Sequence, residues 1–260
     1  MTTRPPDLSR RAAAAAPADL VAAYQRDGAV CLRGLLTAAE VDRLKRGIDA
    51  NLANPSPRAI VASQPDDPGF FIEDFCNWQD SDAYRDTAFD TALPDTAALL
   101  MRSRGVRLYH DHMLTKEPGT RAPTPWHQDQ PYYNVDGVQA ISFWFPVDPV
   151  PRDATLEFVA GSHLGPWLMP RTFMDHQAKW FPEGSLAELP DIEGHRAGFP
   201  LLGWALEPGD VVAFHLLALH ASAGARQRRR VFSLRYLGDD VTHAPRRWKT
   251  SPDFPGLADE

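Results

Sequence analysis

His127 and Asp129 stand two residues apart in the stretch TPWHQDQPYY, between Trp126 and a pair of tyrosines. On a β-strand, residues i and i+2 point to the same face, so this spacing would set an imidazole beside a carboxylate. Such a pair is half of a metal site, or it is the polar edge of an ordinary strand. Two histidines and one carboxylate, leaving open positions, form the donor set of non-haem Fe(II) oxygenases. His220 is the best third ligand, because it ends the apolar run VVAFHLLALH and precedes a turn of small residues. His215, five residues earlier, would face the other way along that run.

A second cluster competes for the metal. HDHMLTKE offers His110, His112 and Glu117 and is similar to the histidine-rich first motif of cupin metal sites. Pro118-Gly119 follows at once, however, and a turn there would carry Glu117 off the strand.

If the open metal positions take a 2-oxo acid, its far carboxylate requires a buried cation. Arginine suits this, since a guanidinium pairs with a carboxylate through two hydrogen bonds. The stretch RQRRRVFSLRY supplies several. Alternation puts Arg229, Val231, Ser233 and Arg235 on one face and Arg230, Phe232, Leu234 and Tyr236 on the other. The second face is greasy enough to be core, so the first should look into the site. Arg226 and Arg228 read as a solvated strand end.

The elements that must position these residues are mostly strands. GVRLYHDHML, VQAISFWFPVD, TLEFVAG, DVVAFHLLALHAS and RRVFSLRYLG are β-branched or aromatic runs bounded by Gly, Pro and Asp. No long helical pattern separates the strands around 105–162, which argues for antiparallel pairing in a sandwich or jelly roll. Helices are expected before them, at 17–27, after the capping box of Thr37 and Glu40, and in short pieces near 81–103. AVCLRGLL (29–36) reads as a strand, and 53–69 as a polar, Pro-rich loop. Residues 164–204 form a long insertion carrying Trp167, Met174, Trp180 and Phe181. Together with PGFFIEDFCNW (68–78) it reads as a candidate lid over a substrate.

Composition narrows the function classes. A formal net charge of −7 without a local basic run argues against a nucleic-acid surface. Cys31 and Cys76 make neither a disulfide framework nor a zinc ribbon. The alanine run after Arg10-Arg11 is too short and weakly apolar for a signal segment, and no stretch approaches a membrane span. The expectation is a cytoplasmic protein of one domain over 1–260, with 1–16 disordered.

The ordered set YQRDGAV, MLTKEPG, WHQD, ISFWFPVD, TLEFVAGSH, EPGDVVAFH, LHAS and RRVFSLRY resembles the phytanoyl-CoA dioxygenase family, from about residue 20 to 238. The resemblance implies a mainly β, cupin-like jelly roll, the double-stranded β-helix, with N-terminal helices packed outside. It implies Fe(II), with 2-oxoglutarate and O2 as co-substrates. It places the iron ligands at His127, Asp129 and His220, and the 2-oxoglutarate anchor at Arg229. Trp144, Ser222 and Met113 fall on further positions lining the co-substrate. Ala225 stands where the family often has asparagine, which leaves Arg229 and Arg230 one residue apart as alternatives. The implied reaction is hydroxylation of an unactivated C–H bond in a small organic substrate, with release of succinate and CO2. Asp129 favours that outcome, since related halogenases carry a small residue there. Arg235, Tyr132 and Trp180 are the expected substrate contacts, Arg235 serving an acidic group. The alternatives are a cupin-type dioxygenase using His110, His112 and Glu117, and a non-catalytic jelly roll that binds an acidic ligand.

Overall fold

The computed structural model describes residues 6–63, 67–120, 123–170, 181–223 and 225–252. Its first part is helical: α1 (Pro6–Ala15), α2 (Ala18–Asp27), α3 (Ala38–Ala53), α4 (Asp82–Phe89) and α5 (Leu93–Met101). Among these helices run the strands β1 (Ala29–Leu32), β2 (Ile60–Val61) and β3 (Phe71–Phe75). Strands then dominate, beginning with β4 (Arg107–Lys116), β5 (Thr124–His127), β6 (Val135–Asp136), β7 (Ala140–Pro146) and β8 (Leu156–Val159). They continue with β9 (Leu201–Leu202), β10 (Val211–His215), β11 (His220–Ser222), β12 (Arg229–Leu237) and β13 (Thr242–His243).

The larger sheet runs β1-β10-β7-β12-β4-β3-β2 and the smaller one β5-β11-β8-β9, with β6 and β13 paired apart. Their strand pairings are antiparallel. Alternation sorts the larger sheet into two faces. Phe232, Leu234 and Tyr236 of β12 join Phe143 and Phe145 of β7 in a core shared with Tyr24, Leu44, Ile48 and Tyr84 of the helices. From the opposite face Trp144, Phe214 and Val231 meet Leu156 and Phe158 of the smaller sheet. Burying each such side chain contributes about 1.5–3 kcal/mol. The helices therefore cover the outside, and the space between the sheets is left for a site.

Several elements depart from the sequence expectation. Residues 1–16 were expected without structure, yet Pro6–Ala15 is a helix packed on α5. Leu8, Ala12 and Ala16 recur every fourth residue and are buried, so alanine's helix propensity is joined by an apolar stripe. The strand expected over 29–36 stops at Leu32. PGFFIEDFCNW is no lid loop, because Phe71–Phe75 is a strand paired with both β2 and β4. The capping box holds, with the Thr37 side chain accepting from the Glu40 amide and the Glu40 carboxylate accepting from Thr37. Within the insertion 164–204, Leu168 and Ile192 pack with Trp126, Leu219 and Ala221. Residues 171–180, which include Met174 and Trp180, lie outside the described residues. Among the described residues no helix is long and apolar enough to cross a membrane.

Candidate metal centre

His127 closes β5 and His220 opens β11, and the two are direct partners across the smaller sheet. Their rings lie 4.2 Å apart. Asp129 reaches the same point by a different route from the one its spacing suggested. The strand ends at His127, and Asp129 has helical backbone angles (φ −74°, ψ −42°) at the entry to a short 3-10 turn. The turn is fixed by the Asp129 and Gln130 amides, which both donate to the Leu216 carbonyl. Asp129 Oδ1 thereby lies 3.5 Å from His127 Nε2 and 3.7 Å from His220 Nε2. Among the described residues these three make the one group whose donor atoms fall within 4.8 Å of one another.

The hydrogen bonding suits a metal ligand set. His127 Nδ1 donates to the Pro125 carbonyl at 2.8 Å, and His220 Nδ1 donates to that of Ala218 at 2.9 Å. Each bond leaves the Nε2 lone pair facing Asp129, the arrangement that fixes tautomer and ring orientation in metal sites. Burial, with the adjacent His127, pushes His220 down to about 3, so it is a neutral imidazole. Burial alone would raise Asp129; Arg235, then His127 and His220, outweigh it and hold the carboxylate well below its usual range. An anionic oxygen and two imidazole nitrogens on one side of a cavity fit Fe(II).

The cavity is about 450 Å³ and lies between the two sheets. Besides the three candidate ligands, it is lined by Arg229 with Trp144 and Ser222, and, six residues further along β12, by Arg235. Phe71, Phe75, Leu114, Tyr132 and Tyr133 supply a mainly apolar wall. Arg229 is buried, its guanidinium 5.6 Å from the Trp144 ring and donating to the Ala154 carbonyl. No carboxylate pairs with it among the described residues. Arg230 points the other way and pairs with both Asp49 and Asp148 at 2.6 Å. The geometry thus separates the two neighbours: Arg229 looks into the cavity and Arg230 is tied to the outer layer.

Four sequence expectations require correction. Met113 does not line the cavity: on β4 the faces alternate, so His112, Leu114 and Lys116 point inward while Met113 enters the outer core. Arg235 does not stand free for an acidic substrate group, since its Nη2 pairs with Asp129 Oδ2 at 3.2 Å. His110, His112 and Glu117 do not converge: His112 faces Glu73 at 3.4 Å, and Glu117 pairs with Arg228 at 2.9 Å. His220 does not end the long apolar strand, which breaks after His215; His215 donates from Nε2 to the Val138 carbonyl and accepts the Leu217 amide. Tyr132 lies beside His127 and edge-on to Phe181 of the insertion, with ring centroids 5.5 Å apart.

Sequence reasoning passed over Lys116. It is buried opposite Arg229 on β4, and burial followed by the Arg229 charge push its ammonium down to about 7. The free lysine value is about 10.4, so between pH 7 and 10 the unfolded chain binds a proton the folded one lacks. Stability from this group therefore rises with pH across that window. Lys116→Met removes the term. The stability gap between Lys116→Met and wild type, read by urea unfolding, should narrow from pH 7 to 9, approaching about 1.4 kcal/mol per pH unit. A gap independent of pH would mean that Lys116 is not desolvated in the folded state.

Comparison with known proteins places this geometry. The model of the family described as "Phytanoyl-CoA dioxygenase (PhyH)" matches residues 24–231. A Caenorhabditis elegans protein named "Probable phytanoyl-CoA dioxygenase" is 29% identical over 140 residues, which is 51% of this chain and 43% of the relative. The aligned part thus spans under half of that protein. Among solved structures, the epimerase SnoN in complex with Fe3+, alpha ketoglutarate and nogalamycin RO superposes with a TM-score of 0.71 at 24% identity, over 93% of this chain and 91% of SnoN. EctD from S. alaskensis with 2-oxoglutarate and 5-hydroxyectoine gives 0.64 at 22% identity, over 85% of this chain and 76% of EctD. These likenesses establish a mainly β, jelly-roll fold, and the matched model spans helices α3 to α5, the strands from β1 to the start of β12 and all three candidate ligands. The chain belongs to the phytanoyl-CoA dioxygenase family.

Proposed function

We propose that the protein is an Fe(II)- and 2-oxoglutarate-dependent dioxygenase that hydroxylates an unactivated C–H bond of a small organic molecule. The observation that carries this reading is one cavity holding a two-histidine, one-carboxylate cluster and a buried arginine that pairs with no carboxylate among the described residues. Iron and co-substrate, when bound, supply the oxidation by O2, with release of succinate and CO2. His127, Asp129 and His220 hold the metal. Arg229, beside Trp144 and Ser222, receives the far carboxylate of 2-oxoglutarate. SnoN and EctD, each solved with this co-substrate, support the assignment by fold.

The substrate has the apolar wall left to it. Phe71, Phe75, Leu114 and Tyr132 would seat a hydrocarbon or ring face, and the His112–Glu73 pair can accept a hydroxyl or amino donor at its edge. With Arg235 engaged by Asp129, this wall favours a neutral or donor-bearing molecule over an acid. The insertion 164–204, which touches Tyr132 through Phe181, would shield the reacting carbon from water.

The test is succinate release from 2-oxoglutarate by protein reconstituted anaerobically with Fe(II) and then exposed to O2, across a panel of small molecules. Succinate formation is expected to rise with a true substrate, whose product gains the mass of one oxygen atom. Absence of succinate under every condition, from protein that has bound iron, would reject the reading.

A further inference from the structure

Asp129 has two carboxylate oxygens with different neighbours. Oδ1 shares its space with His127 Nε2 and His220 Nε2, at 3.5 and 3.7 Å. Oδ2 is turned to Arg235 Nη2 at 3.2 Å. We propose that Arg235 is a positioning residue that reserves Oδ2, so that Asp129 offers the metal one oxygen and leaves open positions for the co-substrate. This rests on the metal reading above but concerns a residue outside the ligand set.

The fold builds this contact on purpose-shaped backbone. Along β12 the register to β4 runs evenly from Arg229–Lys116 to Arg235–His110, then slips, so that Tyr236 faces Leu108. A bulge bends a strand and re-aims the side chains beside it. Here it falls immediately after Arg235. The guanidinium is buried together with Tyr133 and Asp129, and its Nε and Nη1 find no hydrogen-bond partner among the described residues. A buried cation with so few hydrogen bonds is costly to keep for packing alone. With the Tyr133 hydroxyl as its other polar neighbour, it pairs with the back oxygen of the candidate ligand, which a carboxylate free to rotate would otherwise present to the metal.

Two opposed effects follow for a variant. Removing a positive charge near a dication favours metal binding, whereas freeing Oδ2 lets the carboxylate occupy a second metal position. The positioning role therefore predicts that metal stays bound while the co-substrate binds more weakly. Co(II) is the probe, added to the apoprotein without O2, and its visible absorption reports coordination number. Arg235→Lys keeps the counter-charge, and with it the fold, but not the planar fork; Arg235→Leu removes both. Both variants should retain Co(II), show a shifted spectrum, and bind 2-oxoglutarate more weakly, roughly 10- to 100-fold for Arg235→Leu.

A purely structural arginine would lower the melting temperature and leave the spectrum and 2-oxoglutarate affinity of the folded protein unchanged. That result in Arg235→Leu overturns the proposal. If Arg235→Leu does not fold, a wild-type spectrum and affinity in Arg235→Lys overturn it instead. Failure of the metal reading looks different: wild-type protein would then show no Co(II) binding that His127→Ala abolishes.

Discussion

Asp129→Ala is expected to lose bound iron and all succinate formation, while His110→Ala keeps its metal. Asp129 supplies the anionic donor of the cluster, and its Oδ1 lies within 3.7 Å of both imidazoles. Its removal also strands Arg235, a buried cation that forms its ion pair with Asp129. Breaking such a buried pair from one side costs about 3–5 kcal/mol, so the alanine variant should also melt at a lower temperature. Asp129→Asn separates the two effects: it preserves shape but not charge, and should fold better than alanine while still binding iron poorly. His110 is buried at the far side of Arg235, with Nδ1 facing the Asp111 carbonyl at 3.2 Å and no place in the cluster. Its truncation leaves a cavity, not an empty metal site. Metal content after anaerobic loading, with thermal melts of the same samples, checks all three variants. Loss of metal in His110→Ala with retention in Asp129→Ala would return the metal to the rival histidine pair.

The residue types of the cluster were legible in the chain because few patterns place two imidazoles and a carboxylate near apolar strands. How they meet was not. The same-face argument for His127 and Asp129 assumes a strand through both, yet Leu216, nearly ninety residues on, captures the Asp129 and Gln130 amides and turns the backbone. A non-local hydrogen bond of this kind leaves no local signature, although Pro131 just beyond is a hint that the strand stops. His220 raises the same difficulty in another form. The apolar run VVAFHLLALH holds one short strand and the first residue of another from a different sheet, joined by a turn in which the Ala218 amide donates to the His215 carbonyl. Hydrophobicity alone cannot mark that break, because both strands and the turn between them are buried.

Where the pattern is strictly periodic, reading was easier. Alternation on β12 separates Phe232, Leu234 and Tyr236 from Val231 as found, since one face meets the helices and the other the cavity. The same rule, applied to β4, would have turned Met113 away from the cavity and pointed to Lys116. Family resemblance put Met113 with the co-substrate, and the observed register opposes it. Arg235 was assigned the right face and the wrong partner. Its pairing depends on the turn at Asp129, the feature the sequence concealed.

That periodicity carries the second large expectation: Arg229→Gln should raise the KM for 2-oxoglutarate by roughly thirtyfold or more. A buried charge-assisted pair is worth about 2–5 kcal/mol, and the lower figure alone corresponds to that factor. Arg229 is already desolvated, with burial pushing its guanidinium down to about 10, and its hydrogen bond to the Ala154 carbonyl is no counter-charge. An incoming carboxylate thus supplies a pairing that no carboxylate among the described residues provides. Glutamine fills similar space and donates to the carbonyl, so the fold should survive and kcat at saturating 2-oxoglutarate should fall less than kcat/KM. Lys116 across the strand cannot take over, because its ammonium is only partly protonated near neutrality. The adjacent Arg230→Gln is the built-in control. Its side chain is tied to Asp148 and Asp49, and losing both pairs should reduce stability by about 1–3 kcal/mol with the KM for 2-oxoglutarate little changed. Initial rates of succinate release against 2-oxoglutarate concentration, beside urea unfolding of each variant, measure the two responses. Should Arg230→Gln carry the KM defect and Arg229→Gln only the stability loss, the co-substrate does not bind at the Trp144 end of the cavity.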